Sequence, residues 1–333
     1  MYYSRMKILI IRFSSIGDIV LTTPVIRCLR KQYPDAEIFY LTKKKFAGIV
    51  ETNPYLDKVL TLEDDILDTI DTLQDEKFDY VIDLHYNLRT LRIKQALKGV
   101  PFYSVNKLNT QKWIYTSFKT NVMPHKHIVD RYMETVAGLG VVNDNLGLDY
   151  FIPANEIVKE ADLPFSHTHG FLAIAIGAAH YTKKLPVYKL QQLCKAIEYP
   201  IILLGGKEDV DNGSEIASLD PVKIYNACGK FSLNESADIV RRSNLVISHE
   251  TGLMHIAAAF EKMVFSVWGN TVPSFGMYPY MTDYKIFQVN KLWCRPCSKI
   301  GYDKCPRGHF KCMNLMPLDS IVSEVHAYLK KSN

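Results

Sequence analysis

No apolar run in this 333-residue chain approaches the ~18 residues that a membrane span needs. The longest, Phe171 to Ala179, is short and holds a glycine. The N-terminus has a basic start and an apolar KILII, but Arg12 breaks that run too soon for a signal peptide. The expectation is a cytoplasmic protein. Neither sign of charge dominates: 40 Lys plus Arg against 35 Asp plus Glu leaves +5. That excess does not demand nucleic acid, though it allows an anionic ligand or a membrane surface. With 47% hydrophobic and 23% charged residues the chain is not a disordered one. Seven cysteines, an odd number, fit a reducing compartment better than a disulfide framework. There is no low-complexity tract and no internal repeat of roughly 20 to 50 residues.

What is present is an alternation. KILIIR (Lys7 to Arg12), AEIFYLT (Ala36 to Thr42), KVLTL (Lys58 to Leu62), YVIDL (Tyr80 to Leu84) and PFYSV (Pro101 to Val105) are strand-like. Helical patterns separate them, for instance Asp64 to Gln74. The first helical pattern ends at Tyr33-Pro34 and is expected to restart at Thr23-Pro24, with Thr23 as N-cap. Residues 143–168 lose the pattern and form a linker candidate. It then resumes with GFLAIAIGA (Gly170 to Ala178), PIILLGG (Pro200 to Gly206), NLVIS (Asn244 to Ser248) and MVFSVWG (Met263 to Gly269). Apolar strand, helix, apolar strand predicts parallel sheets covered on both faces. The expected organisation is α/β: two doubly wound domains, 1–155 and 165–315, and a C-terminal helix at 316–333. Such sheets bind ligands at the carboxyl ends of their strands, so two of them facing one another would enclose a cleft.

Four motifs stand at strand ends. After the first strand, RFSSIGDIVLTTP has one glycine, Gly17, and no G-x-G-x-x-G or Walker pattern, which counts against NAD, FAD and P-loop chemistry. Asp18 there is either an acid favoured by the helix dipole or a general base for an acceptor hydroxyl. In SHETGLMHIAAAF, Thr251-Gly252 opens an Ala-rich helix. The free amides of Gly252, Leu253 and Met254 would suit a phosphate, Thr251 could add its hydroxyl, and His255 lies one turn on; the alternative is an ordinary capped helix. HYTKKLP offers Lys183 or Lys184 to a phosphate, or is a solvated basic turn. In LLGGKED, Glu208 or Asp209 binds ribose hydroxyls or simply starts a helix.

Together these pieces resemble the heptosyltransferases, glycosyltransferase family 9. The resemblance runs through KILIIRFSSIGDIVLTTPVIRCLRKQYP, TKKLP, LLGGKED, GKFSLNESADIVRRSNLVISHETGLMH and on to VWGNTVP, almost the whole chain. TGLMHIAAA is its most specific part. It implies a GT-B fold of two Rossmann-like domains, and transfer of a heptose from ADP-heptose to the lipopolysaccharide inner core. It further implies inversion at the anomeric centre and no catalytic metal. Residue by residue, it implies Asp18 as base, Lys183 on the donor phosphates and Glu208 on the ribose. Phe231 would line the adenine pocket, and Thr251, Gly252, Leu253 and His255 would bind the pyrophosphate. The family usually has Asp before TGL, where a carboxylate meets the sugar; Glu250 stands here, longer by one methylene.

In the first domain, Lys43, Lys44, Lys45, Arg89 and Arg92 are candidates for a phosphorylated, acidic acceptor, or solvated surface charge. Trp113, Tyr115 and Phe118 could touch lipid, but packing is the expected role. Cys294, Cys297, Cys305 and Cys312, spaced C-x2-C-x7-C-x6-C, are candidate ligands of a structural zinc, with His309 as a substitute; reduced thiols in a loop, or disulfides, are the alternatives. The expected partners are a nucleotide-sugar donor, a lipid A and inner-core acceptor, and the cytoplasmic face of the inner membrane. Rival readings are a sugar-nucleotide epimerase on the same fold, which needs no acceptor, and a nucleic-acid-binding module. The modest charge and the lack of an aromatic basic stripe oppose the last.

Overall fold

The computed structural model describes residues 5–332. It divides into two compact units: residues up to Lys107 with Lys126–Phe151, and Leu108–His125 with the chain from Ile152 onward. The first unit holds strands β1 (Lys7–Ile11), β2 (Glu37–Lys43), β3 (Lys58–Leu62), β4 (Tyr80–Asp83) and β5 (Phe102–Ser104). Its helices are α1 (Ile16–Val20), α2 (Thr23–Gln32), α3 (Ile66–Glu76) and α4 (Leu88–Ala96), joined after a further helix, α5 (Asn109–Phe118), by α6 (Ile128–Val136). The sheet order is β3-β2-β1-β4-β5 and every pairing is parallel. Ile8, Leu9, Ile10 and Ile11 are successive and all fully buried, which requires cover on both faces of the sheet. Leu9 and Ile11 pack with Ile70 and Leu73 of α3 and Ile93 of α4.

The second unit holds β6 (Leu172–Ala175), β7 (Ile201–Leu204), β8 (Ile224–Asn226), β9 (Leu245–His249), β10 (Val264–Trp268) and β11 (Tyr284–Gln288). Its other helices are α7 (Val187–Ala196), α8 (Val210–Ala217), α9 (Leu233–Arg242), α10 (Gly252–Ala259), α11 (Lys311–Asn314) and α12 (Leu318–Ser332). The order β11-β10-β9-β6-β7-β8 is again wholly parallel. In each sheet the order of strand addition reverses once: between β1 and β4 in the first unit, and between β6 and β9 in the second. Ligands of open α/β sheets bind at the carboxyl ends of the strands at such a reversal.

The two-unit division corrects three expectations. Residues 108–125 lie inside the expected first domain but belong to the second unit, because Leu108, Tyr115 and Met123 pack on Val272 and Phe275. The boundary near the linker falls after Phe151 rather than at 155. The C-terminal helix is no appendage: Ile321, Val325 and Leu329 are buried in the same core as Leu172, Ile201 and Leu245. Thr22, not Thr23, is the N-cap of α2: the helix begins one residue earlier than expected, with Pro24 at its second position, where the missing N–H still costs no helical hydrogen bond. β8 and β11 were not expected; the first has three residues, and the second is an edge strand with little buried surface. No helix among the described residues is long and apolar enough to cross a membrane.

Candidate active site

In the first unit the loops after β1 and β4 flank the sheet's reversal point. Asp18 lies in the first turn of α1 and is partly exposed. Its Oδ1 is 2.6 Å from Arg12 Nη2, and its Oδ2 accepts from Ser15 Oγ at 2.7 Å and Ser15 N at 3.2 Å. Arg12 is itself fixed: Nε donates to the Ser14 carbonyl at 2.8 Å and Nη1 to the Leu84 carbonyl at 2.5 Å. Burial opposes the Arg12 charge most strongly, but Asp18, together with Tyr132 and Tyr40, holds the guanidinium above its usual range. The dipole reading of Asp18 therefore accounts for only part of its setting; the side chain is oriented by a buried cation.

His85 follows β4 on the other side of the reversal. Its backbone N–H and that of Tyr86 donate to Asp83 Oδ1, a tight turn that fixes the loop. The ring lies 4.8 Å from the Phe13 ring, and Nδ1 is buried without a hydrogen-bond partner among the described residues. Burial first, then the fields of Arg12, Lys107 and Lys43, push its pKa down to about 3 against the opposing pull of Asp18, so the imidazole is neutral at physiological pH. Arg12 and His85 were not singled out in the sequence. Their only signals were an arginine directly after a buried strand and a histidine two residues past the YVID strand. Of the basic candidates, Lys44, Lys45, Arg89 and Arg92 are exposed, while Lys43 ends β2 and is half-buried.

In the second unit the loops after β6 and β9 meet across the other reversal point. Lys183 Nζ is 2.9 Å from Glu250 Oε2, both side chains being largely buried, and Thr271 Oγ1 donates to the same oxygen at 2.5 Å. Lys183 and Lys184 are thereby separated in role. Lys184 pairs at 2.7 Å with Asp209, which is buried and also accepts the Gly206 N–H at 3.1 Å. A Cβ on Gly177 or Gly205 would come within 2.3 and 2.8 Å of the Asp209 side chain, so both positions need glycine to admit it. Asp209 is thus structural, while the neighbouring Glu208 is exposed. Phe231 is half-buried in the bend before α9.

Thr251 is the N-cap of α10, yet its side chain makes no capping hydrogen bond; Oγ1 lies 3.2 Å from Ser248 Oγ. In α9, by contrast, Ser232 accepts the Glu235 N–H in a complete capping box. The N-terminus of α10 therefore leaves its first amides to an outside acceptor, and Gly252 and Leu253 are only half-buried. His255 is buried one turn further on. The Thr271 signal was a polar pair, Asn270-Thr271, directly after a buried strand, and sequence reasoning missed it.

The cysteine loop supports this turn from behind. Arg295 Nε and Nη2 donate to the Thr271 carbonyl at 2.9 and 2.7 Å, and the Cys297 N–H donates to the Asn270 carbonyl at 3.0 Å. All seven cysteines are free thiols. Burial, then the neighbouring Cys294, push the Cys297 thiol up to about 11, and burial, then Cys297, push Cys312 up to about 12. Cys294 Sγ is 3.7 Å from His309 Nε2. Among the described residues no three His, Cys, Asp or Glu side chains are arranged to hold a metal ion.

The sequence model of Glycosyltransferase family 9 (heptosyltransferase) matches residues 66–305, well over half of the chain. The chain belongs to glycosyltransferase family 9. This family 9 glycosyltransferase is 25% identical over 301 residues to lipopolysaccharide heptosyltransferase 1 of Campylobacter coli, covering 81% of this chain and 85% of that one. Its fold is that of a family 9 glycosyl transferase from Veillonella parvula, with a TM-score of 0.81, 20% identity and 99% of each chain covered. It also matches the E. coli ADP-heptose lps heptosyltransferase II, with a TM-score of 0.75, 16% identity, and 98% and 99% covered. These likenesses establish the GT-B architecture expected from the sequence. The family match includes Lys183, Glu208, Phe231 and the 250–255 turn, and begins after Asp18.

Proposed function

We propose that this glycosyltransferase moves a heptose from ADP-heptose to the inner core of lipopolysaccharide, with inversion at the anomeric carbon. The observation that carries the reading is the Lys183–Glu250 pair at 2.9 Å beside the uncapped start of α10, at the reversal point of the second sheet. A cation and free amides there suit a diphosphate, and a carboxylate held by Thr271 suits sugar hydroxyls. The Campylobacter and E. coli relatives, by their names, support the sugar and the acceptor class.

In this reading the acceptor oxygen forms a bond to the anomeric carbon as the bond from that carbon to the diphosphate oxygen breaks. Asp18 takes the hydroxyl proton, and ADP leaves with the electron pair. Negative charge builds on the departing oxygen, and Lys183 with the amides of Gly252 and Leu253 offsets it. Glu208 holds the ribose, and Phe231 lines the adenine site. Lys43, Arg89 and Arg92 contact the acidic acceptor from the first unit. The protein would act at the cytoplasmic face of the inner membrane. The test is incubation with ADP-heptose and a core acceptor. A product heavier by one heptose is expected, with no change in the donor when acceptor is omitted; isomerised donor without acceptor would favour the epimerase reading instead.

No step of this chemistry passes through a metal. A structural metal on the four-cysteine loop is a separate part of the proposal, supported by the cysteine spacing and by the neighbouring thiols that help raise the Cys297 and Cys312 pKa values. It would bind the cysteines as thiolates and stiffen the loop that holds Asn270 and Thr271. Elemental analysis of purified protein checks it: about one zinc per chain is the expected result, and a small fraction of one discards the site.

A further inference from the structure

From Leu84 to Val129 the chain has no acidic residue at all. These 46 residues carry eight cations: Arg89, Arg92, Lys94, Lys98, Lys107, Lys112, Lys119 and Lys126. The whole chain is only +5, so the rest of it is net −3. The basic excess is thus confined to one stretch, and in its middle lies α5.

That helix is unlike the others. None of its residues is buried, although it contains Trp113, Ile114, Tyr115 and Phe118. It is anchored through Leu108, Tyr115 and Met123, with Tyr115 edge-on to Phe275 at 5.8 Å. Trp113 is 57% exposed and Phe118 64% exposed, their rings touching edge to face at 5.5 Å. Val122, just beyond the helix, is also exposed. The packing role expected for these aromatics therefore holds for Tyr115 and fails for Trp113 and Phe118. A Trp–Phe pair held in water by a rigid helix costs solubility unless something covers it.

We propose that α5 and its flanks are a membrane-docking element that inserts Trp113 and Phe118 into the interfacial region of an anionic bilayer. Aromatic rings favour the headgroup boundary, and lysines such as Lys112 and Lys119 around them attract an anionic surface. Within Leu108–His125, the part of this stretch that belongs to the second unit, Lys112 and Lys119 accompany the exposed rings with no acid in the segment, which is complementary to anionic lipid, whereas a protein partner would usually be met by mixed charge. This inference rests on the lipid-linked acceptor of the proposed function for its biological sense, and on the surface itself for its chemistry.

The experiment is co-sedimentation of the full chain with phosphatidylglycerol/phosphatidylethanolamine vesicles and with phosphatidylcholine vesicles, for the wild type and the double variant Trp113→Ala/Phe118→Ala. Heptosyl transfer to a water-soluble core oligosaccharide is measured on both proteins in parallel. The wild type is expected to bind anionic vesicles about tenfold more tightly than neutral ones, and the variant to lose about tenfold of that affinity. Both should melt alike and act equally on the soluble acceptor. Equal binding to both lipids, or an unchanged variant, overturns the proposal. So does a wild-type dimer that the variant loses without any vesicle binding, since the patch would then pair two copies. Absence of transfer in both proteins, with the lipid results as expected, would sink the proposed reaction and leave the docking element standing.

Discussion

Asp18→Asn is expected to lower the rate of sugar transfer about a thousandfold at saturating donor, close to 4 kcal/mol of activation free energy. Asparagine keeps the size of the side chain and can still bond Ser15, but it cannot take the acceptor proton. Folding should survive, because Arg12 retains the carbonyls of Ser14 and Leu84 at 2.8 and 2.5 Å. The lost ion pair leaves a buried guanidinium with a weaker partner, so the melting temperature should fall by a few degrees. ADP affinity should not move, since none of the groups proposed for the nucleotide lies in the first unit. Single-turnover rates, calorimetric ADP titration and a melting curve together check it. A variant that transfers at the wild-type rate removes Asp18 from the proton-transfer role, and one that also loses ADP binding points to a general structural effect.

Lys183→Met should lower kcat/KM for the donor about a hundredfold to a thousandfold, equivalent to about 3–4 kcal/mol. Two effects combine. The diphosphate loses a cation, and the Glu250 carboxylate keeps Thr271 but loses its charge partner in a largely buried site. The second effect is separable. In the double variant Lys183→Met/Glu250→Gln the uncompensated carboxylate is gone, so stability should recover toward the wild type while activity stays low. Melting temperatures and initial rates across the four proteins of this cycle give both terms. Recovery of activity in the double variant would mean that Lys183 serves only to neutralise Glu250.

The site was legible where one side chain has one available job. Thr251 and Gly252 follow the buried strand β9, and the structure keeps them at its end, because a parallel sheet delivers its loops to one edge. Where neighbours compete for a role, the residue string was ambiguous. Lys183 and Lys184 are adjacent cations, and only the buried position of Asp209 assigns Lys184 to it and leaves Lys183 for Glu250. Glu208 and Asp209 are adjacent acids, and the glycines at 177 and 205 decide which one turns inward. Arg12 read as an interruption of a hydrophobic run. In the fold it is the group that orients Asp18, six residues on, and it is itself held by the Leu84 carbonyl, 72 residues away along the chain.

By itself the sequence determined the architecture and the class of chemistry. Continuous apolar runs separated by helical patterns admit few arrangements other than covered parallel sheets, and the strand-end motifs carry the family's signature. Tertiary packing alone decided which unit residues 108–125 join, and so that Trp113 and Phe118 face water. The reason is physical: a helix with one apolar face reads alike whether that face is buried or bare. Only the surface offered by Val272 and Phe275, far along the chain, selects which of its aromatics are covered.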